Sequence, residues 1–275
     1  MRIALIPLTA LGLSATPVFA AGPEMTMADP AEPVQAVPAP VMQRGPALVF
    51  TLRGGIATAP EYIGSDEYEA VPDLGFKLNS VNLGRLNFGN PDPWAESRGF
   101  GLRGSFRAIA ERDASEHDDL TGLDDVDAAY ELGLGVGYTG ELFAAFADVR
   151  RGFGGHEAFV AELGADVIAR PSQQLAITFG PRLFYGADDY VDTYFGVTPS
   201  EASAQNPAYN PDPGLVSAGL ALGMRYKINE NWGVEGAVTW DKFQNDALDS
   251  PIVKNGSEDQ WGARIGLTRT FRVGG

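Results

Sequence analysis

The sequence contains no cysteine and only two histidines, His117 and His156, among its 275 residues. The absence of cysteine excludes disulfides, thiolate nucleophiles and thiolate metal sites. Basic residues are also scarce, because 20 Lys and Arg face 36 Asp and Glu and leave a formal net charge of -16. Nucleic acid is itself polyanionic, and no basic cluster offsets this charge, so we expect no nucleic-acid partner.

Long hydrophobic runs are missing after the first twenty residues, which argues against a membrane helix in the mature chain. Within those twenty, Arg2 precedes an apolar run, and Val18-Phe19-Ala20 places small residues where signal peptidase reads them. We therefore predict a cleaved signal peptide at 1–20. Residues 21–46 are rich in proline and are predicted to form an extended periplasmic linker, which leaves 47–275 as the folded domain.

From residue 47 onward the hydrophobic pattern has a period of two. In the segment 127–138, even positions are Ala, Tyr, Leu, Leu, Val and Tyr, whereas odd positions are glycine, alanine or acidic. Segments 215–227 and 261–271 repeat this pattern. Glycine and isolated charges on one face are typical of the narrow interior of a closed sheet, so the apolar face is expected to meet lipid.

These segments predict an all-β fold, a closed antiparallel transmembrane β-barrel in the outer membrane of a Gram-negative cell. Eleven strands can be marked, near 47–59, 69–78, 80–89, 98–110, 127–139, 141–151, 156–169, 173–185, 214–227, 231–244 and 259–272. Because bacterial single-chain barrels have an even number of strands, we predict twelve, with one hidden between 98 and 127, and ten as the alternative.

Aromatic residues near the strand ends are spaced as the two interfacial girdles of a membrane barrel require. Trp232 and Trp240 lie eight residues apart, as do Tyr130 and Tyr138, which corresponds to about 20 Å along a tilted barrel axis. The predicted girdle residues are Tyr130, Tyr138, Tyr226, Trp232, Trp240, Trp261 and Phe271.

Charged residues fall on the predicted inner face of several strands. The expected lumen charges are Arg103, Arg107, Arg182, Arg225 and Arg264 together with Glu131, Glu162, Asp166, Glu235 and Asp241. Buried charges must pair, so we expect an ion-pair network that mostly occludes the lumen. A selective channel lined by both signs is the alternative.

The loop 111–127 concentrates carboxylates around His117. We interpret it as a solvated acidic loop and His117 as a solvated residue, with calcium binding as the alternative. His156 is placed in an outer loop, where a structural role is preferred to a catalytic one. No catalytic, cofactor-binding or metal-ligating residue is assigned, and no cofactor is expected.

Six short motifs resemble, in order, those of the MltA-interacting protein (MipA/OmpV) family. They cover almost all of the chain after the linker, and the residues that carry them include Tyr62, Gly64, Ser65, Asp66, Tyr68, Gly155, His156, Gly180, Pro181, Phe195, Gly196, Asp249, Ser250 and Pro251. The resemblance implies an outer-membrane protein. The best-known member of the family is regarded as a scaffold that joins a murein hydrolase to a peptidoglycan synthase, and other members are associated with adhesion or antibiotic sensitivity.

The function expected from the sequence is thus non-enzymatic, a barrel that contacts outer-membrane lipid and binds peptidoglycan-remodelling enzymes. A narrow pore for small solutes is the first alternative. A lipid-modifying hydrolase that uses His156 is the second.

Overall fold

The computed structural model describes residues 45–83, 86–95 and 98–274. The predicted signal peptide and most of the predicted linker lie outside these residues. The described part contains eleven strands, β1 (Leu48–Pro60), β2 (Tyr68–Leu83), β3 (Leu86–Gly89), β4 (Gly99–Ile109), β5 (Ala129–Thr139), β6 (Phe143–Gly154), β7 (Phe159–Ala169), β8 (Leu175–Gly186), β9 (Gly214–Lys227), β10 (Trp232–Phe243) and β11 (Asp259–Val273).

Three short α-helices lie in the connections, α1 (Asp188–Phe195), α2 (Asn245–Asp249) and α3 (Pro251–Asn255). Two 3-10 turns span Ala114–Glu116 and Asp118–Leu120. Within the described ranges, none of the helices is long and apolar enough to cross a membrane.

All eleven strands form one antiparallel sheet, in the order β3-β2-β1-β11-β10-β9-β8-β7-β6-β5-β4. The first and last long strands are neighbours, with Leu48 opposite Val273. The all-β, antiparallel part of the prediction is confirmed. Closure into twelve strands is not confirmed, because β3 and β4 occupy the two edges of the sheet in the described part of the chain.

The irregular element is β3, which has four residues, whereas the other ten strands have 11 to 16. Counted through the antiparallel order, β3 and β4 run in the same direction, while β2 and β4 run in opposite directions. The additional strand predicted between 98 and 127 is not present, since β4 is followed there by the two 3-10 turns and no second long strand. The ten long strands alternate in direction, but β2 and β4 are not paired in the described part of the chain, so closure into ten strands is not confirmed either.

The two faces of the sheet differ in chemistry. One face carries exposed apolar side chains, such as Phe100, Leu134 and Ile265. The other carries charges that reach across intervening strands, as when Arg53 on β1 contacts Glu235 on β10 and Arg107 on β4 lies over the Phe184 ring on β8. Contacts between strands that are not neighbours identify this second face as the concave one.

The two ends of the sheet also differ. At one end the strands β5–β6, β7–β8 and β9–β10 are joined by short connections, and we call this the short-turn end. At the other end the longer connections, together with α1, α2 and α3, pack into a structure that we call the cap. Two clusters of buried apolar residues form its core, one around Tyr190 and Phe195 and one around Leu120 and Ile252.

The seven predicted girdle residues lie on strands near the two ends of the sheet. Tyr138, Tyr226, Trp232 and Phe271 lie near the short-turn end, whereas Tyr130, Trp240 and Trp261 lie near the cap. Trp240 and Trp261 face each other across the β10–β11 pair, with ring centroids 6.4 Å apart.

Candidate functional site: a charged interior beneath a packed cap

The centre of the concave face is a buried cluster of charges around Arg150. Its guanidinium donates to Glu131 at 2.8 Å, to Glu162 at 2.9 Å and to the Ser105 hydroxyl at 3.0 Å. Arg107 approaches the other Glu131 oxygen at 3.7 Å. Alternation in β4, β5, β6 and β7 directs these side chains to the same face, so charges far apart in the chain are compensated locally.

His156 connects this cluster to the cap. Its Nδ1 accepts from the Ala158 amide at 3.3 Å, which places the ring proton on Nε2, and Nε2 lies 3.4 Å from Glu131. The edges of Tyr190 and Tyr194 pack against the ring at 5.1 and 5.6 Å between centroids. His156 therefore joins α1, which carries both tyrosines, to the charged cluster around Arg150.

Gly152 makes this arrangement possible. A Cβ atom at that position would lie 2.3 Å from His156 Cε1, so the ring occupies the volume that a side chain would need. At this position of the glycine-rich inner face, the absence of a side chain leaves room for the buried imidazole ring.

A second group of ion pairs lies on β1, β2, β9 and β10. Arg53 makes a two-pronged contact with Asp73, at 2.7 and 2.9 Å, and reaches Glu235 at 3.4 Å. Arg225 lies 3.3 Å from the other Glu235 oxygen. Glu235 therefore accepts a hydrogen bond from Arg53 and forms an ion pair with Arg225, and the two arginines compensate its charge.

A third group surrounds the Phe146 ring. Arg182 pairs with Asp166 at 2.8 and 3.0 Å, and Arg103 lies 3.3 Å from Asp148. Both guanidinium groups approach the aromatic ring, at 4.1 Å for Arg103 and 5.3 Å for Arg182. The ring offers each cation a favourable contact.

All ten predicted lumen charges lie on strands that contribute to this face, and eight of them take part in the three groups. Asp241 and Arg264 are the exceptions, since neither has an oppositely charged group within 4.0 Å among the described residues. The sequence reasoning missed Arg53, Asp73, Asp148 and Arg150. All four occupy inner positions of their strands, so the period of two that identified the other charges could have found them.

The motifs of the family resemblance converge in the cap, although they are scattered along the chain. Gly64 has φ +102°, accepts from the Ser257 amide at 2.7 Å and lies against Ile252 and Val253 of α3. Ser250 begins α3 by accepting from the Ile252 amide, and its hydroxyl donates to the Phe195 carbonyl at 2.7 Å. These contacts join the loop 61–67, the end of α1 and the start of α3.

The remaining motif residues lie around this junction or on the strands of the sheet. Gly196 ends α1, and Ser250 is flanked by Asp249 and Pro251. The loop 61–67 contains Tyr62, Ser65 and Asp66. Gly155 directly precedes His156. The Tyr68 hydroxyl accepts from the Trp261 amide at 3.0 Å. Gly180 and Pro181 lie within β8, where a Cβ atom on Gly180 would meet the Ala165 carbonyl oxygen at 1.7 Å.

The interpretation of His117 as a solvated residue is wrong, although most carboxylates of the acidic loop 111–127 are exposed, as expected. This loop is part of the cap. Its apolar residues Ala114, Leu120, Leu123 and Val126 are buried in the cap's two cores. The His117 side chain is only 14% exposed and packs edge-on against Tyr62. Burial and the nearby carboxylates of Asp119 and Asp66 raise the pKa of Tyr62 to about 12.

The opposite end of the interior is covered by residues 90–95, between β3 and β4. The Trp94 ring lies 4.4 Å from the Arg225 guanidinium, and its indole N–H donates to the Glu230 carbonyl at 3.3 Å. Gly233 leaves the space for it, since a Cβ atom there would lie 2.2 Å from the ring. No feature of the period-two pattern predicts this crossing, because the segment lies between strands.

An antiparallel sheet with an apolar convex face, a charged concave face and a cap of long connections defines an outer-membrane β-barrel type of protein. Residues 52–271 match the family described as MltA-interacting protein MipA. The chain belongs to this family, and it is an outer-membrane protein.

Two relatives carry outer-membrane names. Outer membrane protein Omp26La of Vibrio anguillarum and outer membrane protein OmpV of Vibrio cholerae serotype O1 are each 36% identical over 77 residues, which is 28% of this chain and 29% of theirs. The match therefore spans less than a third of the length of either relative. Among solved structures, OprB of Pseudomonas putida has 11% identity and a TM-score of 0.35, covering 70% of this chain and 46% of that one.

Proposed function

We propose that this protein is a non-enzymatic outer-membrane scaffold with an occluded interior, and that it binds a murein hydrolase and a peptidoglycan synthase. The observation that carries the proposal is that the interior is filled with paired charges and covered at both ends. The cap packs over His156, and Trp94 packs over Arg225. A filled interior favours a role performed by the ends of the protein.

The orientation follows from general barrel architecture, in which short turns face the periplasm and long loops face outward. The short-turn end then lies on the periplasmic side, the same side as the predicted linker 21–46. The convex apolar face, with its rows of aromatic rings near each end, contacts lipid. A periplasmic partner meets the three short turns, the segment 90–95 and the linker. The family description, with its reference to MltA, supports a murein hydrolase as that partner.

The test is co-purification of the tagged, full-length protein after mild detergent extraction. Recovery of a murein hydrolase or synthase is expected, and deletion of residues 23–46 should reduce it while leaving the heat-dependent gel mobility of the barrel unchanged. If neither enzyme is recovered by the intact protein, the scaffold proposal fails.

A narrow pore remains the second candidate because Asp241 and Arg264 lie on concave-face strands without an ion-pair partner among the described residues. Such charges are typical of a path for ions. Planar-bilayer recording separates the two functions, since the scaffold predicts no steady conductance. The burial of His156 argues against the hydrolase alternative, because the side chain lies beneath the cap rather than at the lipid interface.

A further inference from the structure

A cluster of three potential metal ligands lies in the cap, apart from the charged interior. It consists of Glu61 and Glu67, from the loop between β1 and β2, and His117, from the loop between β4 and β5. One ligand atom from each residue lies within 4.8 Å of the other two. His117 Nδ1 and the Glu61 carboxylate are 3.5 Å apart.

The backbone holds both glutamates at the two ends of one tight loop. The Glu61 amide donates to the Glu67 carbonyl at 3.1 Å, and the Glu67 amide donates to the hydroxyl of buried Ser65 at 3.0 Å. The two carboxylates are therefore set side by side before any ligand arrives.

His117 is held from the other loop. Its carbonyl accepts from the amide of Leu120, which is fully buried, and its ring packs against Tyr62 at 4.9 Å between centroids. The ligands thus come from two segments about fifty residues apart that meet on the same buried core.

The charge balance of this cluster differs from that of the interior. There, the close carboxylates are compensated by arginines, as Glu131 is by Arg150. In the described ranges, by contrast, no lysine or arginine lies within 4.0 Å of the Glu61 or Glu67 carboxylate. The carboxylates of Asp66 and Asp119 also act on nearby Tyr62, and Arg112 opposes them, so acidic groups outnumber basic ones in this part of the cap. A bound cation would relieve this repulsion.

We propose that Glu61, Glu67 and His117 form a binding site for a divalent transition-metal ion of the zinc class. One imidazole nitrogen and two carboxylate oxygens form a mixed donor set suited to zinc, whereas calcium is held by oxygen ligands alone. Zinc ligands at about 2.1 Å from the metal lie about 3.4 Å apart, so rotation of exposed Glu67 closes the present spacing. Water completes the coordination.

The consequence is a metal bridge between two loops of the cap. Because the ion binds the folded cap and not the separated loops, it stabilises the contact between loop 61–67 and loop 111–127. This inference is independent of the scaffold proposal, since it concerns the opposite end of the molecule.

The test is a titration of the full-length, detergent-solubilised protein with zinc chloride, followed by calorimetry. We expect one zinc per chain, with binding weakened at least about tenfold by Glu67→Gln and by His117→Ala. Asp66→Asn removes one negative charge from the same loop but no ligand, and it should change the affinity by less than about threefold. Glu67 is exposed, so Glu67→Gln tests the site even if His117→Ala disturbs the cap.

Further readouts decide the class of ion and the role of the site. Zinc should slow amide exchange in both loops of the wild-type cap, and calcium at equal concentration should neither do so nor displace zinc. The proposal is overturned if the wild-type protein binds no zinc, if both ligand variants bind as well as the wild type, or if Asp66→Asn weakens binding as much as they do. Equal competition by calcium also overturns it.

Discussion

Arg150 and Arg151 are consecutive residues of β6 with opposite surroundings. Arg150 is 3% exposed and bonded to two carboxylates, whereas Arg151 is 49% exposed on the apolar face beside the rings of Phe153 and Phe159. The alternation of a strand places these identical side chains in the interior and at the outer surface. This pair therefore provides a matched comparison of a buried and an exposed arginine.

Replacing Arg150 by methionine should lower the free energy of unfolding by about 3–5 kcal/mol, because fully buried Glu131 would keep only the more distant Arg107 and half-buried Glu162 would lose its partner. The measurement is urea-induced unfolding in detergent, followed by gel mobility. Arg151→Met is the control, with an expected change within about 0.5 kcal/mol. Equal losses in the two variants would contradict the assignment of the two faces.

Gly152→Ala should displace His156 and loosen α1 from the interior, because the new Cβ atom would lie 2.3 Å from the imidazole. Faster amide exchange and proteolysis in α1 are the expected results. At Gly137, also on the inner face, the nearest atom to an added Cβ is 3.6 Å away, so Gly137→Ala is a suitable control. If α1 is equally protected in both variants, His156 does not secure the cap.

Ser250→Ala should weaken the junction of α1 and α3 by about 1–3 kcal/mol, since the buried Phe195 carbonyl loses its donor and the Ile252 amide its acceptor. Limited proteolysis of the cap measures this change. Ser200→Ala removes an exposed hydroxyl of the same cap and should have little effect. If Ser250→Ala resists proteolysis as well as the wild type does, the junction is held by packing alone.

Acid should release the contact between loops 111–127 and 197–213. Burial raises the pKa of Glu201, but hydrogen bonds from Thr198 and from the Asp124 amide outweigh it and hold the pKa below its ordinary value near 4.5. Because the folded pKa is depressed, the stabilisation is present above the unfolded pKa and is lost as pH falls through the folded value.

The measurement for this contact is amide exchange at Asp124 and Thr198, corrected for intrinsic rates, at about pH 7 and about pH 3. Protection should fall at the lower pH in the wild type. In the Glu201→Gln variant, amide protection should be weaker than in the wild type at both pH values and should not change with pH. A pH response that survives in Glu201→Gln would assign the effect to another group.

Trp94→Ala should uncover the short-turn end of the interior, because the indole ring occupies the space above Gly233 and stacks on Arg225. A rise in single-channel conductance over the wild type is expected in planar bilayers. Trp232→Ala, which removes a ring from the other face, should leave conductance unchanged. If Trp94→Ala conducts no more than the wild type, the paired charges alone are sufficient to close the interior.

The period of two located the long strands well because inner and outer positions alternate without interruption in most of them. It failed at β2, where the sequence predicted two strands separated at Asn79. The structure has one continuous strand with a bulge, so that Val49 is opposite Ser80 while Phe50 is opposite Leu78. The bulge shifts the pattern by one position, and a shifted pattern reads as a new strand.

The cap could not be predicted in the same way. Its contacts join positions such as Gly64 and Ser257, whose backbones are hydrogen-bonded although almost two hundred residues separate them. Loops carry no periodic signal, and the acidic composition of 111–127 concealed four apolar residues that form part of a core. Strand positions follow from local alternation, whereas the cap depends on which loops the sheet brings together.

The pairing of β1 with β11 also has a kinetic consequence. The Ala47 amide bonds to the Gly274 carbonyl, so the two ends of the described chain are joined by more than two hundred residues of intervening sequence. Contacts of such high sequence separation form slowly, because a long loop must close first. During export, the β1 edge that faces β11 must remain unsatisfied until β11 has arrived. The order of the strands in the chain therefore delays this pairing, and a chain truncated before residue 259 would lack the strand on which β1 depends.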